Sequence, residues 1–180
     1  MKKITVLLCS LTIMFNTMAQ GYIPKDEKQA VSFVIKNFGL TVNGSFPGLL
    51  GSITFNPSNV TASLFNVTVD ASSISTGNNS RDGHLKKEEY FNTAIFKKIS
   101  LVSSQITNGA VQGSYLFDGV LSIKGTKKSI SFPFTAMPTT EGYLFNGSFK
   151  INRRDFKVGG SSLVLSDNLT VLLRVQAKRS

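Results

Sequence analysis

The chain has 180 residues, with 20 Lys and Arg against 10 Asp and Glu and a formal net charge of +10. This length suits one domain with a substantial apolar core. The basic residues form no run of five or more, so the charge indicates a solvated basic exterior rather than a nucleic-acid-binding segment.

Residues 1–19 have the features of an export signal. Lys2 and Lys3 give a basic start, residues 4–15 are mostly apolar, and residues 17–19 end in the small residue that a signal peptidase requires. The apolar run is shorter than the roughly 20 residues of a membrane-spanning helix. Cys9 lies inside this segment and is the only cysteine, so disulfides, Cys-ligated metals and cysteine nucleophiles are excluded from the mature domain, residues 20–180. We therefore expect a periplasmic or secreted protein.

Alternating apolar and polar residues predict β-strands from residue 29 onward. Val31, Phe33 and Ile35 share one face of the first strand, as a sheet with one buried side requires. The same period of two recurs in residues 51–56, 61–72, 96–106, 113–125, 127–136, 142–152 and 168–178. Pro133 falls on the outer face of its strand and indicates an edge position or a bulge.

These eight or nine strands have connections too short for parallel crossovers. An antiparallel barrel removes the exposed edges and is favoured, while a β-sandwich is the alternative. The chain has 14 Phe and no Trp. An eight-stranded barrel is wide enough to be filled by such side chains or to hold one small ligand, and the periodicity alone supports both.

One charged segment, "NNSRDGHLKKEEYFNTAIF" at residues 78–96, interrupts the alternation. Asn79 or Ser80 can cap a helix of about 10 residues, near residues 80–91, with Asp82 in its first turn. Leu85, Tyr90 and Phe91 can then face the protein while the charged side chains stay in water. The pattern predicts a short helix that covers one mouth of the barrel.

The residue types do not form a recognisable catalytic or metal-binding motif. His84 is the only histidine, and the chain contains neither a G-x-S-x-G nucleophile motif nor a glycine-rich phosphate-binding loop. One histidine without cysteine cannot form a usual zinc site. We interpret His84 as a residue of the cavity rim rather than a catalyst.

Several segments, in order, resemble the YceI-like family of exported lipid-binding proteins. The most specific is "VDASSISTGNNSRDGHLKKEEYFNTAIF" at residues 69–96. It is preceded by "VSFVIKNFG" and "GSITFNP" and followed by "DGVLSIKGTKKSISFPF", "INRRDFKVG" and "LSDNLTVLLRVQA". The resemblance covers nearly all of the mature chain. The family often has histidine at the position of Asn37.

The resemblance implies a lipocalin-like antiparallel barrel with an apolar tunnel for a polyisoprenoid or similar lipid, and no catalytic residue, metal or redox cofactor. It favours a cavity over a filled core. We predict that the lipid tail contacts the inward apolar residues Phe33, Ile35, Phe55, Val67, Phe117, Leu121, Phe132, Phe134, Phe145 and Phe149. The candidate head-group residues at the mouth are Arg81, Asp82, His84 and Arg154.

Other interpretations are open for these polar residues and for the function. Arg81 and Arg154 could instead form structural ion pairs with Asp82 and Asp155. The chain could also be an isoprenoid-modifying or hydrolytic enzyme, or a small outer-membrane barrel. We expect the lipid as a partner and no nucleic acid. A homodimer and transient contact with a membrane surface stay open.

Overall fold

The computed structural model describes residues 20–27 and 29–180, so the predicted export signal at residues 1–19 lies outside the described residues. The elements follow in the order β1 (Gln20–Pro24), β2 (Val31–Asn37), β3 (Leu40–Ser45), β4 (Leu50–Phe55), β5 (Leu64–Asp70), α1 (Asn79–Leu85), β6 (Lys98–Asn108), β7 (Ser114–Ile123), β8 (Thr126–Pro138), β9 (Gly142–Asn152) and β10 (Leu165–Arg179).

Eight strands close into an antiparallel barrel. They are hydrogen-bonded in the order β1-β4-β5-β6-β7-β8-β9-β10, and β1 pairs again with β10. β10 is long enough to pair with β1 at residues 177–179 and with β2 at residues 165–173. The β2–β3 hairpin therefore extends the barrel wall beyond β1 and β4. The predicted eight-stranded barrel with a short helical insertion is confirmed.

The two ends of the barrel differ. One end carries the β2–β3 turn, the β7–β8 turn, residues 153–164 and the α1 segment, by which we mean α1 and the turns that follow it to residue 97. We call it the mouth end. The other, the closed end, carries the β6–β7 and β8–β9 turns. The wall is incomplete near the mouth, since the outer edge of β3 is joined to the rest of the described chain by one bridge, between Ser45 and Ser75.

A second interruption of the wall lies between β8 and β9. Within the described residues, their pairing begins at Phe134, directly after Pro133. Proline lacks a backbone N–H, which agrees with the edge position that the sequence predicts. Toward the mouth, a 3₁₀ helix after β9 brings Phe156 against Leu121 and Ile123, so that a separate apolar cluster fills this part of the wall.

The helix α1 is shorter than predicted and begins one residue earlier. Its cap is Asn78, whose side chain accepts a hydrogen bond from the Arg81 N–H, and not Asn79 or Ser80. The helix ends at Leu85, and the chain continues in turns to residue 97. Gly83 lies inside it, so the helix is weak by itself and depends on packing.

The closed end is filled by aromatic side chains. Tyr22, Phe55, Tyr115 and Tyr143 form a group that we call the aromatic plug, in which Phe55 is 1% exposed and packs edge-on against Tyr115 and Tyr143 with ring centroids 5.2 and 5.1 Å apart. Partial burial raises the pKa of the Tyr143 phenol. The plug closes one end of the barrel and leaves the other as the route to its interior.

Candidate functional site

An almost entirely apolar cavity occupies the mouth half of the barrel. The space between its walls is about 1240 Å³, including the part open to solvent, and we call it the outer chamber. Inward residues of β2, β5, β6, β7, β9 and β10 form the walls, and Leu85, Tyr90 and Phe91 of the α1 segment cover it. The apolar composition of these walls suits a small apolar ligand.

A smaller space, the inner chamber, lies closer to the aromatic plug and has about 520 Å³ between its walls, including the part open to solvent. Both chambers share five wall residues, namely Val31, Leu49, Val67, Leu101 and Leu173. Because the same side chains border both spaces, the two chambers adjoin at this level. The inner chamber therefore lies between the outer chamber and the aromatic plug.

The residues predicted to contact a lipid tail are divided between these spaces. Those in the walls are Phe33, Ile35, Leu121 and Phe149 in the outer chamber, Phe117, Phe132, Phe134 and Phe145 in the inner chamber, and Val67 in both. Phe55 instead lies within the aromatic plug. Contact of any of them with a lipid stays a prediction.

Arg81 is the predicted head-group residue that borders the outer chamber. Its Nε–H and one Nη2–H donate to the hydroxyl and the carbonyl oxygen of Thr76, at 2.8 and 2.9 Å. Asp82 is buried and accepts hydrogen bonds from the same Thr76, through its backbone N–H and its hydroxyl. Asp82 therefore fixes Thr76, and Thr76 fixes the Arg81 guanidinium at the chamber wall.

Two of the predicted head-group residues have other neighbours. His84 is exposed on α1, and its ring packs against Tyr90 with the centroids 5.0 Å apart. The Arg154 side chain is half exposed and forms its ion pair with Asp167, at 3.3 Å, rather than with Asp155. In the described part of the chain, Arg81 and Asp82 are joined through Thr76 and not by an ion pair.

Arg153, which the sequence analysis did not select, is buried in the wall of the outer chamber. Its guanidinium donates to the carbonyl oxygens of Val158, Gly160, Leu165 and Ser166 and to the Asp167 carboxylate. These bonds use all five N–H groups of the side chain. Arg153 therefore organises the loop between β9 and β10 and has no donor left for a ligand.

Lys124 joins three segments at the mouth end. Its ammonium group, in the β7–β8 turn, donates to the carbonyl oxygens of Glu89 and Lys157 at 3.1 and 2.8 Å. Burial lowers the pKa of Lys124, while the carboxylates of Glu88 and Glu89 act in the opposite direction. The cover formed by the α1 segment is thus tied to the barrel by a lysine as well as by apolar packing.

Residues 20–27 and 29–180 contain no group of three or more His, Cys, Asp or Glu side chains that could hold a metal ion. They also contain no helix long and apolar enough to cross a lipid bilayer.

The sequence from residue 22 to residue 177 matches the family model for the YceI-like domain. The chain belongs to the YceI-like family. Among its relatives, a UPF0312 protein of Yersinia enterocolitica is 27% identical over 172 residues, which are 90% of this chain and 88% of the relative. Protein YceI of Salmonella arizonae is 25% identical in an alignment that covers 98% of this chain and 97% of the relative.

Solved structures share this barrel fold. BcnA of Burkholderia cenocepacia has a TM-score of 0.76 at 21% identity, over 86% of this chain and 94% of its own. A polyisoprenoid-binding domain of Saccharophagus degradans has a TM-score of 0.68 at 15% identity, over 91% of this chain and 100% of its own. At such identities the likeness shows the fold alone.

Proposed function

We propose that this chain is an exported, non-enzymatic binding protein that holds one long-chain amphiphilic lipid, a polyisoprenoid or similar molecule, as a carrier, store or stress-related protein. The observation that carries the proposal is the pair of adjoining apolar spaces, the outer and inner chambers. The polyisoprenoid-binding domain of Saccharophagus degradans, which has the same fold, supports the choice of lipid class. Export to the periplasm is inferred from residues 1–19.

The apolar walls are sufficient for useful affinity. Each buried CH₂ contributes about 0.8 kcal/mol, so ten carbons contribute about 8 kcal/mol before ordering costs, which corresponds to about micromolar binding. A longer isoprenoid that also enters the inner chamber would bind more tightly. The tail needs no polar recognition, and Arg81 is the residue that we assign to the head group.

The direction of the side chains argues against an outer-membrane barrel. A membrane-spanning barrel has an apolar outer face and a polar interior. Here the inward residues of β8, such as Phe132 and Phe134, are buried, while its outward residues Lys127, Ser129 and Ser131 are polar. This is the arrangement of a barrel that is apolar inside and faces water outside.

Native mass spectrometry of the purified protein tests the proposed function. We expect a mass above that of the bare chain, and organic extraction should release a lipid with a long apolar tail. If the protein carries no lipid and takes up none when polyprenyl phosphates or isoprenoid alcohols are added, the proposal is wrong. Release of a chemically altered isoprenoid after incubation would favour the enzyme alternative.

Arg81→Leu is expected to weaken binding of a lipid with an anionic head group and not that of an apolar chain. A hydrogen bond to a charged group contributes about 1.5–3 kcal/mol, so the Kd of a polyprenyl phosphate should rise about tenfold to a hundredfold. The Kd of a hydrocarbon isoprenoid of equal length should stay within about twofold, because the tail contacts are retained.

Lys87→Leu is the matched control, because this exposed lysine lies two residues after α1 and bears the same charge as Arg81. We expect it to leave both affinities unchanged. If both substitutions weaken binding of the polyprenyl phosphate equally, the effect is one of general charge, and Arg81 is not part of the head-group site.

A further inference from the structure

Four exposed apolar residues lie side by side at the mouth end. Phe38 and Leu40 are each 72% exposed, Leu163 is fully exposed, and Val164 is 40% exposed. The Phe38 N–H donates to the Val164 carbonyl oxygen at 2.9 Å, which joins the β2–β3 turn to the loop before β10. We call these four residues the apolar tip. Single exposed apolar side chains are common, whereas a contiguous group often marks an interaction site.

The apolar tip borders the entrance of the outer chamber. Asn37, directly before Phe38, pairs with Leu40 in β3 and with Leu165 in β10. Asn37 and Leu165 both line the outer chamber. A surface that covers the tip would therefore lie against the route by which a ligand reaches the cavity.

Phe38 occupies a backbone conformation that suits it poorly. Phe38 and Gly39 form a two-residue hairpin turn, with φ of 50° and 73°. Such turns prefer Asn, Asp or Gly at the first position, because a bulky side chain is strained at positive φ. A large apolar residue that is both strained and exposed does not contribute to the stability of the free protein, and it therefore points to a contact outside the barrel.

The mouth end also carries nearly all of the excess positive charge. Residues 31–42, 70–98, 121–130 and 148–170, which form this half of the barrel, contain thirteen Lys and Arg against six Asp and Glu, an excess of seven. The remaining described residues contain four bases and four acids. An apolar tip within a cationic surface matches an anionic bilayer, where basic residues meet the head groups and apolar side chains reach the acyl region.

We propose that the apolar tip docks the mouth end of the barrel onto the surface of a bilayer that contains anionic lipids. The role of this contact in lipid transfer rests on the proposed function, but the docking itself does not. A second copy of the chain is the competing occupant. In a two-fold dimer the tip would face its own copy, and two surfaces with the same cationic excess would be brought together. The charge therefore favours the bilayer.

Vesicle flotation tests the docking, with purified protein that has been expressed as the full chain. Intact mass establishes beforehand whether the export signal has been removed. We expect binding to vesicles of equal parts phosphatidylcholine and phosphatidylglycerol, weaker binding to phosphatidylcholine alone, and weakening by added salt. Phe38→Asn should lower the vesicle partition coefficient about tenfold through lost apolar burial, and it should raise the thermal midpoint because Asn suits the turn.

Phe38→Asn is expected to lower vesicle partitioning while raising the thermal midpoint, so a loss of docking can be distinguished from damage to the fold. Leu40→Glu should also lower partitioning about tenfold. Val111→Glu is the matched control, because Val111 is 71% exposed and lies in the β6–β7 turn of the closed end. It should change the vesicle partition coefficient less than twofold. Wild-type protein that does not float with the anionic vesicles, or equal losses in Leu40→Glu and Val111→Glu, would overturn the proposal.

Three further results distinguish bilayer docking from dimerisation and from the proposed function. A dimer in sedimentation that Phe38→Asn dissociates would assign the apolar tip to a second copy and overturn bilayer docking. If the protein contains lipid but does not bind vesicles, docking is overturned and the lipid-binding function is left intact. Vesicle binding by a protein that never contains lipid would do the reverse.

Discussion

Val67→Trp is expected to abolish tight binding of long isoprenoids while leaving short ones bound. Val67 lines both chambers, so an indole at this position fills the space where they adjoin. If about five tail carbons are kept out of the inner chamber, the loss is about 4 kcal/mol, or about a thousandfold in Kd. An isoprenoid of about ten carbons, which the outer chamber can hold, should keep its affinity within about threefold. Titration with a series of chain lengths measures both effects.

Asn66→Trp is the control, because it adds the same side chain to the preceding residue of β5, which is exposed on the outer face. We expect its affinities to equal those of the unmodified protein at every chain length. Circular dichroism should show that both proteins are folded, since the larger side chain at position 67 enters existing space. Loss of short and long ligands alike in Val67→Trp would contradict the two-chamber cavity as the tail site.

The alternation of apolar residues predicted the barrel and the direction of most side chains. Phe33 and Ile35 of β2, for example, face the interior as the pattern requires. The pattern could not distinguish a filled core from a cavity, and the barrel contains both, one at each end. Phe55 and Phe117 have the same local pattern, yet Phe55 is packed in the aromatic plug and Phe117 lines the inner chamber. Their depth depends on the register of strands distant in sequence.

The roles of the polar residues at the mouth also could not be predicted from the local sequence. Arg153 and Arg154 are adjacent and chemically identical, and the sequence analysis selected Arg154. The 3₁₀ helix after β9 turns Arg153 into the protein, where the returning loop supplies its acceptors, and leaves Arg154 outside. The strand β3 was also missed, because residues 40–45 include Asn43 and Gly44 and become a strand through pairing with β2. These features depend on partners that local sequence does not reveal.

Arg153→Met is expected to have the largest effect on stability of any single polar substitution at the mouth. The Arg153 side chain is 4% exposed and donates five hydrogen bonds: two to carbonyl oxygens of the β9–β10 loop, two to carbonyl oxygens at the start of β10 and one, at 2.7 Å, to Asp167. Methionine has similar length but leaves these acceptors without a donor. The free energy of unfolding should fall by about 3 kcal/mol, which corresponds to a decrease of about 10 °C in Tm for a domain of this size.

Arg154→Met provides the matched control, because Arg154 is the next residue and binds the same carboxylate, but its side chain is 50% exposed. An exposed ion pair contributes at most about 1 kcal/mol, so urea unfolding should show a small change. The order of the two effects tests the structural role of Arg153, since both substitutions remove one positive charge from the same site. Equal destabilisation by the two variants would show that Asp167 pairing alone matters. It would then be wrong to regard Arg153 as the residue that shapes the loop beside the cavity.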